Sequence, residues 1–211
     1  RPEPLTLKNK RQDPVLQLHA SPDGRSLAYV LNRQGRVRVY VQDIRTAKRK
    51  KVMQYAFRNP FQETDYQYPL LAWHPSGQFL AILSEHRDKQ RLTVVDLLAD
   101  KAEEQELAPI YQRVYSMRYF DNQRLVFSAA TGGLSDIFLY HIPTRQSERI
   151  TQDLWDDLDP APFTFRGKRG VLFTSNRPDG SMSREKLDLI SPTGSLDLYF
   201  YNLDDRPAEA V

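Results

Sequence analysis

Three times along this chain, an aliphatic residue opening one apolar run is followed sixteen positions later by a polar residue closing the next. The pairs are Leu27 and Asp43, Leu80 and Asp96, and Leu125 and His141. A fourth pair, Val171 and Asn202, is 31 apart, so fifteen extra residues separate the same two runs. Successive openings lie 53, 45 and 46 residues apart. Self-similarity at such a period is the signature of an array of small supersecondary units that must stack to bury their apolar faces.

The runs within each unit read as short strands. In the first, Val15 to Ala20, Leu27 to Leu31, Val37 to Ile44 and the weaker Lys51 to Phe57 are separated by the turns SPDG (21–24) and NRQG (32–35). Apolar and polar residues alternate at period two, most clearly in VRVYVQDI. The second unit repeats the order with Leu70 to Trp73, Phe79 to Leu83 and Leu92 to Leu97, and the polar stretch 100–106 reads as an outer strand. The third has Val114 to Tyr119, Leu125 to Ser128, Asp136 to Ile142 and a short run ending at Thr151. The fourth has Ala161 to Phe165, Val171 to Thr174 and, after the insertion 178–196, Leu196 to Leu203. A spacing of 45 to 53 residues matches four-stranded propeller blades. The expectation is therefore an all-β propeller domain over 1–211, with repeats at approximately 14–57, 64–107, 111–151 and 153–211. Four repeats make either a complete four-blade ring or part of a larger propeller.

Composition narrows the chemistry. With no cysteine, disulfides, thiolate metal sites and a cysteine nucleophile are excluded. Thirty basic against 27 acidic residues leave a net charge of +3 of mixed sign, so no nucleic-acid partner is expected. The dense basic run RTAKRKK (45–51) reads as a solvated turn between two strands. No apolar stretch reaches the roughly 20 residues of a transmembrane helix. The four histidines (19, 74, 86 and 141) have no metal-ligand spacing, and His74 and His141 fall at turn positions. The acidic stretch DLWDDLD (153–159) lacks the glycine of a calcium loop, so no metal is expected there. There is neither a G-x-S-x-G elbow nor a phosphate-cradling glycine loop. No catalytic residue, metal or cofactor is expected.

Particular residues carry a family resemblance. Ser21-Pro22-Asp23-Gly24-Arg25 followed by LAYV resembles the repeat of the TolB-type, WD-like propellers. Ser135-Asp136-Ile137-Phe138 and Arg149-Ile150-Thr151 resemble that family's third strand and its lead into the next blade. Asp159-Pro160 through Phe173-Thr174-Ser175-Asn176-Arg177 is similar to its D-x-x-P … I-x-F-x-S-x-R run. The second unit departs from the pattern with His74-Pro75-Ser76-Gly77, and the third has only Phe120-Asp121-Asn122 in place of Pro-Asp-Gly. The resemblance implies a bacterial periplasmic or outer-membrane-associated protein that docks a peptide or protein partner without catalysis. It also implies that 153–159 is a connection between blades, with Trp155 packed partly against a neighbour. The alternatives are the gating propeller of a prolyl-oligopeptidase-type serine peptidase, which uses similar repeats, or a glycan-acting propeller enzyme.

The insertion PDGSMSREKLDLISPTGSL breaks the repeat, and long loops on rigid scaffolds are where binding residues concentrate. The expected partner-binding residues are Arg177 at its base and Arg184, Lys186, Leu187 and Leu189 within it.

Overall fold

The computed structural model describes residues 6–56, 68–86, 89–177 and 196–203, and among these every regular element is a β-strand. The chain divides into two compact units, 1–106 and 107–211. In the first unit, β1 (Val15–Ala20), β2 (Ser26–Arg33), β3 (Arg36–Asp43) and β4 (Arg49–Ala56) form one sheet in that order. A second sheet contains β5 (Leu70–Trp73), β6 (Phe79–His86), β7 (Lys89–Asp96) and β8 (Lys101–Glu106). The second unit holds β9 (Arg113–Tyr119), β10 (Arg124–Thr131), β11 (Leu134–His141) and β12 (Gln146–Arg149) in one sheet. Its other sheet has three strands among the described residues: β13 (Asp157–Phe165), β14 (Lys168–Ser175) and β15 (Asp197–Asn202). Neighbouring strands are antiparallel throughout, as the all-β blade expectation requires.

Local sequence explains the hairpins. Arg33 pairs with Arg36 around Gln34-Gly35, both at positive φ (48° and 77°), the two-residue turn whose twist matches antiparallel strands. The same device recurs at Arg166-Gly167, with φ of 51° and 77°. Polar side chains close the following turns. Asp43 Oδ1 accepts from the Thr46 amide at 2.6 Å, and Asp96 Oδ1 from the Leu98 and Ala99 amides at 2.9 and 3.0 Å. His141 Nδ1 sits 2.7 Å from Thr144 Oγ1. These are three of the residues that mark the sixteen-residue spacing.

Middle strands are buried on both sides and outer strands are not. β2 (SLAYVLNR) has six consecutive buried residues, whereas β8 (KAEEQE) is exposed along almost its whole length. The inner face of β2 and β3, with Ala28, Val30, Val37, Val39 and Val41, packs on Leu71, Trp73, Leu80, Ile82 and Val95 of the next sheet. Trp73 Nε1 donates to the His19 carbonyl at 3.0 Å, and Lys50 meets Asp100 at 2.6 Å. In the second unit Phe120, Val126, Ile137, Leu139 and Ile150 pack on Val171 and Phe173, flanked by Tyr199 and Tyr201.

Two expectations are corrected. The basic run at 45–51 is only half turn, because Arg49 to Lys51 belong to β4, where Arg49 pairs with Gln42 and Lys51 with Tyr40. The acidic stretch at 153–159 is likewise not all connection. Asp157 to Asp159 begin β13, with Asp157 opposite Ser175 and a register shift before Ala161 that sets Asp159 at φ 52°. Proline tolerates such a bulge because it has no N–H to lose, and Pro160 occupies it.

Gly170 lies where β14 meets β15, and a Cβ there would collide with the Tyr201 carbonyl and come within 2.8 Å of Phe200 Cζ. Overpacking of this kind is destabilising by about 1–3 kcal/mol. Gly170→Ala is expected to lower stability in thermal or urea unfolding by that amount. A variant as stable as the parent would contradict the close β14–β15 approach.

Candidate functional site

The second unit buries three carboxylates and one guanidinium group, with a second, partly exposed guanidinium beside them, where the β9–β12 sheet leads into β13. Asp136 on β11, Asp153 in the connection and Asp157 at the start of β13 are each at most 1% exposed. Arg177, just past β14, is 2% exposed, and its Nη2 reaches Asp157 Oδ2 at 2.6 Å and Asp153 Oδ2 at 2.9 Å. Its Nε donates to Ser175 Oγ at 3.0 Å, and its guanidinium lies 5.3 Å from both the Phe173 and Tyr199 rings. Arg149, at the end of β12, donates to Asp136 Oδ2 through Nη2 and to the Thr151 carbonyl through Nε. Thr151 Oγ1 accepts the Ile137 amide at 2.9 Å, and Asp153 Oδ1 accepts the Trp155 amide at 2.9 Å. The segment between two blades is thereby pinned from both sides.

Two cations face three carboxylates, and burial adds to the imbalance. Desolvation pushes the Asp157 carboxyl above its ordinary value, although Ser175 and Arg177 pull it back. Asp136 is also raised, first by burial, with the charges of Asp153 and Asp157 adding and Arg149 opposing. A raised folded-state value favours the neutral acid, so this contribution to stability is fullest below the ordinary carboxylate value and is lost as pH rises through the folded value. Asp136, Asp153, Asp157 and Arg177 are closed to solvent, and this part of the cluster is a structural clamp.

Beside it is an open cleft. A cavity of about 540 Å³ is lined by Pro109, Ile110, Gln112, Thr131, Phe138 and Arg149, with Gly132 and Ser147 at its margin. Phe138 belongs to a buried aromatic group with Tyr111, Phe127 and Tyr140. The Arg149 guanidinium stands 5.8 Å from the Phe138 ring. Burial raises the Tyr111 phenol, which therefore stays a donor and bonds Ser147 Oγ. Ile110 is 57% exposed, and among the described residues β12 is an outer strand that pairs only with β11. Among those residues the cleft offers apolar area, a guanidinium and an open strand edge, and its lining contains no histidine or carboxylate.

Of the five expected partner-binding residues, Arg177 is in the clamp, while Arg184, Lys186, Leu187 and Leu189 lie outside the described residues. Sequence reasoning did not single out Arg149, Ile110 or Phe138 as site residues. The available signal was Asp136, a carboxylate inside the apolar run IFLY's strand, which demands a buried cation.

No protein-family model matches the chain, and no curated protein matches it. Solved structures do. TolB from Acinetobacter baumannii is 17% identical and superposes with a TM-score of 0.64 over 92% of this chain and 42% of its own. The fold is that of the TolB-type β-propellers. A protein assigned as TolB in Agrobacterium tumefaciens is 19% identical, with a TM-score of 0.56 over 74% of this chain and 52% of its own. The β-propeller domain of the Trilobed protease from Pyrococcus furiosus is 15% identical, with a TM-score of 0.57 over 90% and 55%. The chain thus spans about half the length of the TolB-type structures it matches, and identities this low establish the fold alone.

In this pair of blades the clamp generates a direct prediction. Removing one partner of a buried ion pair destabilises by about 3–5 kcal/mol, because the other charge is left uncompensated. Arg177→Met is expected to show that loss in urea unfolding at pH 8 and a smaller one at pH 5, where Asp157 takes up a proton more readily. Asp157→Asn in the same chain should recover part of it. Equal losses at both pH values would show that the guanidinium does not balance these carboxylates.

Proposed function

We propose that the chain is a non-enzymatic propeller module, part of a propeller with more blades, that docks a protein or peptide partner in the bacterial cell envelope. The observation that supports docking most is the cleft beside β12. An extended peptide can add to an open strand edge through main-chain hydrogen bonds while a side chain enters a neighbouring pocket. Ile110 and Phe138 provide apolar contact there, and Arg149 provides an anchor for a carboxylate or carbonyl. The second contact region is the insertion, with Arg184, Lys186, Leu187 and Leu189, rooted at Arg177. The periplasmic or outer-membrane setting follows from the resemblance to TolB-type repeats, and no helix among the described residues is long and apolar enough to cross a membrane.

A second reading is a gating propeller of a serine peptidase. It draws on the likeness to the Trilobed protease propeller and to dipeptidyl peptidase 4 from Porphyromonas gingivalis, 13% identical with a TM-score of 0.57 over 92% of this chain and 32% of that one. A peptidase domain in the parent chain would favour this reading.

Photo-crosslinking in envelope fractions separates the readings. A photoreactive side chain at Ile110 or Leu187 is expected to give a discrete adduct with one partner, while the same group at Leu98, 81% exposed in the β7–β8 turn, gives none. No adduct at either site, or the same adducts at all three, would count against docking.

A further inference from the structure

The chain's small net charge hides a strong local imbalance. Residues 6–56, which make up the first sheet and the segment leading into it, contain twelve Lys and Arg against three Asp and no Glu, while the whole chain carries only +3. Like charges packed on one small sheet repel one another, so a concentration of this kind works against the compact state unless something offsets it.

The structure shows where part of this charge converges. Residues 6–13 lie across β3, held by Gln42, whose Nε2 donates to the Thr6 carbonyl at 2.9 Å and whose Oε1 accepts the Lys8 amide at 2.9 Å. Asn9 and Asp13 close the segment on itself, Asn9 Nδ2 to the Asp13 carbonyl at 2.7 Å and the Asp13 amide to Asn9 Oδ1 at 3.0 Å. Between this segment and the sheet is a cavity of about 300 Å³. Lys10, Arg11, Arg38 and Arg49 line it with Asn9, Asp13, Leu31 and Tyr40. Arg38 and Tyr40 belong to the face of β3 opposite Val37, Val39 and Val41, which pack on the β5–β8 sheet. Arg49 is positioned over the Tyr40 ring at 4.4 Å and donates to the Lys8 carbonyl. Among the described residues, Lys10, Arg11 and Arg38 form no ion pair. Among the described residues, four cations and one carboxylate leave the cavity lining at +3.

We infer that this cavity is a binding site for a phosphorylated group, either a phosphomonoester or a diphosphate. One carboxylate would leave most of the positive charge unmet, whereas a phosphomonoester brings about −1.5 to −2 at neutral pH and three strong acceptor oxygens. Planar guanidinium forks at Arg11 and Arg38 match phosphate geometry, with Lys10 as a mobile point charge. The volume accepts a headgroup or a small phosphorylated molecule and little more. This site is independent of the β12 cleft and uses none of its residues.

The test uses pyrophosphate as the probe, with binding followed by calorimetry on the full chain at low and physiological salt. Saturable binding is expected, at least tenfold weaker in Arg38→Gln and in Arg11→Gln and unchanged in Arg25→Gln. Arg25 is a matched control, because its side chain is 83% exposed outside the cavity and its loss changes the net charge equally. Cosedimentation with phosphatidate-containing and pure phosphatidylcholine vesicles then identifies the source. Binding to the former that depends on Arg38 assigns a lipid headgroup, and binding of pyrophosphate alone assigns a soluble ligand. Absence of saturable binding, or an equal loss in Arg25→Gln, overturns the site. Tighter binding of a Glu-rich peptide than of pyrophosphate overturns it in favour of an acidic protein surface.

Discussion

Face-to-face packing of two-sided apolar sheets is the constraint on which the rest depends. A sheet whose middle strands are buried on both faces has no stable existence as a free-standing layer, because each exposed Val, Leu or Ile side chain forfeits roughly 1.5–3 kcal/mol. In the first unit the answer is the contact of Val30, Val39 and Val41 with Trp73, Leu80 and Ile82. In the second it is Ile137 and Leu139 against Val171 and Phe173. Both contacts follow from one pattern, a polar outer strand and an apolar middle pair repeated at a fixed spacing.

The polar groups decide how those faces meet rather than how strongly. Trp73 reaches back to the His19 carbonyl, and Arg169 Nη2 donates to the Phe120 carbonyl at 2.8 Å, so each contact is registered by a bond as well as by packing. The Asp153–Asp157–Arg177 cluster takes this furthest. Buried ion pairs add little net stability over apolar residues of the same shape, yet they are costly to break, which makes them good devices for holding one arrangement. Arg149 connects that device to the surface, since the same side chain binds Asp136 and lines the open cleft.

Much of this architecture was legible in the sequence because it rests on period-two alternation and on turn chemistry, both of which are local. β1 runs from Val15 to Ala20 and β5 from Leu70 to Trp73, as the alternation and flanking turns predict. The outer strand at 101–106 was readable only through the repeat, since its composition alone suits a helix as well. Where the reading failed, the deciding contact was distant. Asp157 enters β13 because Ser175 is opposite it, and Arg49 to Lys51 join β4 because β3 lies alongside. The site was less legible still. Asp136 and Arg177 are 41 positions apart in sequence, and nothing local says that their neighbours Asp153 and Asp157 bring them into one cluster. The cationic cavity escaped for the same reason, as its walls come from an irregular segment and three strands.

Amide hydrogen exchange on the parent chain and on Ile82→Ala tests the central claim most directly. Ile82 is on the inner face of β6, and its truncation removes about 2–5 kcal/mol of packing. If neither sheet of the first unit is stable without the other, exchange must accelerate in β2 and β3 as well as in β6 and β7. Acceleration confined to β5–β8, with β1–β4 unchanged, would show that the first sheet stands alone and would contradict the account.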